Sequence, residues 1–134
     1  MRERGPELPD RIRQFLVRLE ELRVYVDYLA ALNIKWDPPS GKAINLAYIK
    51  RNGQVSTEAS NWFAPKDLSH HYNEDLAKAL GGEVNKESQK DDWYVTLNGH
   101  APRIEEVVPK FDDWYRIIER FIESMRERQA EGEE

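Results

Sequence analysis

LPDRIRQFLVRLEELRVYVDYLAAL, residues 8–32, carries apolar side chains at Leu8, Ile12, Phe15, Leu19, Leu22, Val26 and Leu29, in alternating steps of four and three. That spacing lines one stripe of an α-helix, so the stretch predicts a long amphipathic helix starting at Pro9 or Asp10 and ending near Leu32 or Asn33. Proline suits a first helical turn and aspartate caps one. Asp37 to Gly41 then form a loop that no helix crosses. Near the other end, Phe111, Trp114, Ile118, Phe121 and Met125 repeat the spacing, which predicts a second long helix from about Pro109 that frays past Arg126.

Between these stretches the sequence has the marks of β-structure. Residues 43–51 and 54–62 are β-prone runs around Asn52-Gly53, a hairpin signal, with Pro65 closing the unit. Leu68, Tyr72, Leu76 and Leu80 share a helical face that stops at Gly81-Gly82. Glu83–Lys86 and Trp93–Leu97 are expected strands, Asn98-Gly99 is a second turn, and Arg103–Val108 is open between strand and helical turn. The expected order is α-ββ-α-ββ-α, an α+β fold with a small, mostly antiparallel sheet packed on long terminal helices. Residues 1–128 form one domain in this reading, and 129–134 a disordered acidic tail. The apolar seams are first of all an intrachain core. The alternative is a dimeric coiled coil, but Leu16, Tyr25 and Leu32 widen the stripe beyond a narrow seam.

Composition narrows the function classes. The chain has no cysteine, which excludes disulfides, thiolate zinc sites and cysteine nucleophiles. MRERGPELPD has no apolar run, so it is not a secretory signal, and no stretch reaches the ~20 apolar residues of a membrane span. A cytoplasmic location is expected, and no membrane partner. The net charge is −5, with 5 basic against 10 acidic residues in 104–134, while the rest of the chain is balanced. An acidic end disfavours non-specific attachment to nucleic acid there.

Four constellations bear on chemistry. His71 and Asp75 stand four apart on the expected second helix, and His100 on a turn offers a third ligand for a divalent metal, the core of a hydrolase reading. Adjacent His70 and His71, however, point roughly 100° apart on a helix. Glu83–Lys86 and Glu87–Lys90 have a nuclease-like acid and lysine three apart, a spacing that sends them to opposite faces of a strand. Ser40-Gly41-Lys42 ends like a phosphate loop but lacks its upstream glycine and its magnesium-binding hydroxyl. Lastly, Trp36, Tyr48, Trp62, Trp93 and Tyr94 interleave with Lys35, Lys42, Lys50, Arg51 and Lys66, a mix able to stack bases and hold phosphates. Lys42, Lys50, Arg51, Trp62 and Lys66 are its candidate nucleic-acid contacts. No motif calls for a cofactor. The leading expectation is a non-enzymatic interaction module that meets a protein partner, or its own copy, through the terminal helices. A nucleic-acid-associated domain comes second and the metal-dependent hydrolase third.

Overall fold

The structure is a computed structural model that describes residues 7–28, 30–86 and 89–132. It is an α+β fold. Helix α1 (Glu7–Leu19) runs into a 3₁₀ turn, Glu20–Leu22, and then into four strands: β1 (Val24–Tyr28), β2 (Leu32–Trp36), β3 (Ile44–Ile49) and β4 (Val55–Ser56). These form one antiparallel sheet in sequence order. A 3₁₀ turn over Glu58–Asn61 leads to α2 (Lys66–Leu80). A separate hairpin, β5 (Glu83–Asn85) with β6 (Tyr94–Thr96), precedes the short α3 (Ile104–Val107) and the long α4 (Phe111–Gly132).

The first helix is shorter than its apolar spacing predicts. It ends at Leu19, and Arg23 adopts the left-handed conformation (φ 64°), with its N–H bonded to Glu20 O at 2.9 Å. Past that break, Val24-Tyr25-Val26-Asp27-Tyr28 is β-branched and aromatic and alternates in character. It pairs with β2, Val24 opposite Trp36 and Val26 opposite Ile34. Val26 thus sits at a heptad position by count but on a strand in space. Two strands are added to the expected order, giving α-ββββ-α-ββ-α apart from α3. Leu29, the Glu87-Ser88 turn and residues 133–134 of the expected tail lie outside the described residues. Residues 129–132 continue α4, and Gln129 clasps the loop before β3, donating to Ser40 O at 2.9 Å and accepting from its N–H at 3.4 Å.

The two Asn-Gly pairs make different turns. Asn98 and Gly99 both have positive φ (56° and 84°), and Leu97 and His100 exchange backbone hydrogen bonds around them, the two-residue hairpin turn that the dipeptide favours. At the other pair only Gly53 does (φ 90°). Gly53 N–H donates to Lys50 O and Lys50 N–H to Gln54 O, so the loop has three residues and the glycine serves as its bulge.

The core lies between the sheet and α1, α2 and α4. Phe111, Trp114, Ile118, Phe121 and Met125 are all buried, as are Phe15 and Leu19 of α1. The Phe15 and Phe111 rings stack at 4.1 Å. Tyr72 of α2 ties the layers: its hydroxyl donates to Leu46 O at 2.9 Å and accepts from Trp114 Nε1 at 3.0 Å. Burial pushes the Tyr72 phenol far above its ordinary range. The described parts of both apolar seams are therefore spent largely inside the chain.

Candidate interaction surface

The backbone divides the five candidate nucleic-acid contacts. Lys50 and Arg51 sit at the hairpin tip beyond β3, while Lys42 precedes its first residue. The 6 residues of β3 separate the two ends, a length of roughly 20 Å. Trp62 and Lys66 fall at the Lys42 end, where a sixth residue, Phe63, joins them. The Lys42 ammonium lies 5.2 Å from the centre of the Phe63 ring.

Trp62 and Phe63 are 57 % and 51 % exposed, consecutive large aromatics in the short link between the 3₁₀ turn and α2. Their neighbours fix that link. The Asn61 amide donates to Glu58 O at 2.8 Å and to Trp93 O at 2.7 Å, and its oxygen accepts from Ser69 Oγ at 3.1 Å. Lys66 pairs with Asp92 at 2.6 Å, and the Asp92 side chain is 8 % exposed. Behind them, Thr57 Oγ1 donates to Asn73 Oδ1 at 2.5 Å and accepts from Val95 N at 3.1 Å. Asn73 Nδ2 donates to Ser60 Oγ and to Ser69 O, and Ser60 Oγ donates to Thr57 O. Thr57, Ser60, Asn61, Ser69 and Asn73 are all buried, and each is partnered. A satisfied polar network of this kind fixes one arrangement of backbone. The two rings stand on a rigid ledge.

Sequence reading found Trp62, Lys42 and Lys66 but missed Phe63 and the network. The available signal was Ser69 and Asn73, four apart and flanking Tyr72 on an otherwise amphipathic helix. Small polar residues among core positions invite a search for mutual partners.

The histidines go elsewhere. His71 and Asp75 line a groove between α2 and α4, about 480 Å³ in volume, with Leu68, Phe121 and Arg120. Among the described residues no group of three His, Asp or Glu side chains is arranged to hold a metal ion, so His100 does not join them. His100 lies on the Asn98-Gly99 turn, its Nδ1 3.0 Å from Ala101 O. His70 stacks on Trp93 at 3.8 Å and donates from Nε2 to Asp91 O at 2.7 Å. Asp67, at the start of α2, is held below the usual carboxylate range by its hydrogen bond to Arg128.

No family model, curated protein or solved structure matches this chain. No helix among the described residues is long and apolar enough to cross a membrane.

Proposed function

We propose that this protein is a small, non-enzymatic interaction module of the cytoplasm, and that the Trp62–Phe63 ledge is its contact surface for a protein partner. One observation carries the reading: two adjacent large aromatics are more than half exposed on a segment held by buried hydrogen bonds. Exposed aromatics are the residues that dominate binding energy at protein interfaces. A ledge already ordered loses little conformational freedom on binding. The absence of cysteine fits a reducing compartment.

The test is retention of partners from cell extract by the wild-type chain and by the Trp62→Ala/Phe63→Ala variant, with melting temperature as the control for folding. The reading expects a specific protein held by the first and lost by the second at unchanged melting. Identical retention by both chains overturns it.

One observation favours a second reading, in which the ledge stacks bases: the Lys42 ammonium against Phe63. Against it, Lys66 is neutralised by Asp92, and Lys50 and Arg51 lie at the far end of the sheet. Trp62 is itself the probe, because it is the most exposed tryptophan: Trp36 and Trp114 are buried, and Trp93 is partly buried under His70. Salt-sensitive quenching of Trp62 emission by oligonucleotides, absent in Trp62→Phe, would select this reading.

A further inference from the structure

The two edges of the four-stranded sheet are treated differently. Beside β4 the chain closes the edge itself: Val55 N–H donates to Pro102 O, Ile104 N–H donates to Gly53 O, and Gln54 bridges to Arg103. Along β1 the described residues supply no backbone partner other than β2. Natural edge strands are commonly protected by lysine, proline or a bulge. Val24–Tyr28 has none of these, since the register shift lies between β2 and β3. Its one charge, Asp27, is neutralised by Lys35 at 3.1 Å.

Side-chain parity adds a second observation. Val24, Val26 and Tyr28 point with Leu32, Ile34 and Trp36 toward the helices. Yet Tyr28 is 69 % exposed and Val26 only partly buried, because the core stops short of this edge.

We propose that the β1 edge is an interface for a second copy of this chain, joined antiparallel across a two-fold axis at Val26. The occupant follows from the strand's self-complementarity. In that register Val26 faces Val26 of the second copy, and Val24 faces Tyr28, so apolar meets apolar and both exposed tyrosines are covered. On the other face Asp27 stands opposite Tyr25 of the second copy and beside Lys35 of its own chain. No carboxylate is set directly opposite another and every charge keeps its counter-charge. The two sheets become one eight-stranded sheet, with the free edge satisfied by its own copy.

Sedimentation of the full chain from about 1 to about 500 µM should show a concentration-dependent dimer. Tyr28→Lys should raise the dissociation constant at least about tenfold, with unchanged melting at concentrations where both chains are monomeric, because the position is exposed in the monomer. Val26→Cys gives the chain its only thiol. Oxidation should link it to its copy, since facing strand residues lie within disulfide reach, while Val17→Cys on exposed α1 should stay unlinked. A wild-type monomer throughout the range overturns the proposal. So does a dimer indifferent to Tyr28→Lys, or equal linking at positions 17 and 26.

Discussion

The first and last apolar seams share one spacing and end as different structures. Residues 111–125 stay helical and bury all five seam positions. The first seam buries Phe15 and Leu19 on a helix, breaks at Arg23 and resumes as a strand at Val24. The difference lies in what separates the seam residues. In α4, after the two aspartates of its first turn and the buried Tyr115, they are spaced mostly by Arg, Glu and further Ile, straight-chain or buried residues that a helix accepts. In 24–28 the run is Val-Tyr-Val-Asp-Tyr, which satisfies a period of two as well as it satisfies three-and-four. An apolar period identifies burial. Between two compatible periods, the intervening residues decide.

The comparison can be broken most severely at α4. Trp114 is 0 % exposed, packs near Phe15 and donates to the Tyr72 hydroxyl. Trp114→Ala should cost about 3–5 kcal/mol in a chemical-denaturation measurement, and a loss below about 1 kcal/mol would show that the last seam is not central. Leu19→Ala tests the helical half of the first seam and should cost about 2–4 kcal/mol, with melting as the readout.

Arg23 sharpens the contrast through the sign of an effect. At φ 64° a non-glycine side chain is strained, so Arg23→Gly should be neutral or stabilise by up to about 1 kcal/mol. In a continuous helix the same change would cost about 1 kcal/mol. Clear destabilisation would restore the long helix.

The smallest effect is at Tyr25. Its hydroxyl donates to Asp37 at 2.7 Å, a contact that exists because the chain doubles back between β1 and β2. That hydrogen bond, with lesser help from desolvation and the Asp37 and Asp27 charges, pushes its pKa from 10.0 to about 12. A phenol raised in the fold contributes stability in full below pH 10 and loses it as pH climbs toward 12. Tyr25 is more than a third exposed, so water screens the pair and the loss is slight. Difference absorbance should show a late-titrating fraction of tyrosine, to which the buried Tyr72 also belongs, and Tyr25→Phe should lower that fraction by one residue. A normal titration would put Tyr25 away from Asp37.

The fold class, the second helix, the Asn52-Gly53 hairpin and the last helix could be read because each rests on local signals: periodicity, a glycine stop, a turn dipeptide. The end of the first helix could not, because Arg23 carries no left-handed signature and the strand that follows is held by partners at 32–36. The turn type at Asn52-Gly53 depended on pairing beyond the dipeptide. For the site, Trp62, Lys42 and Lys66 were named from residue type, but their convergence with Phe63 depends on where β3 begins and where the 3₁₀ turn ends. Lys50 and Arg51 carry the same charge and lie at the opposite end of one strand. The buried network was illegible for a different reason. Thr57, Ser60 and Asn61 look like loop residues until Ser69 and Asn73 are brought against them.

The contact between the first and last helices also has a meaning during synthesis. Arg18 meets Asp112 across 94 residues of sequence, and Phe15 stacks on Phe111 beside it. At a translation rate of about 5–20 residues per second, that interval lasts roughly 5–20 s. Throughout it the apolar side of α1 has emerged and its permanent cover has not. The nascent chain must therefore carry Phe15 and Leu19 on borrowed shelter, from the growing sheet or from a chaperone, until the final helix clears the ribosome.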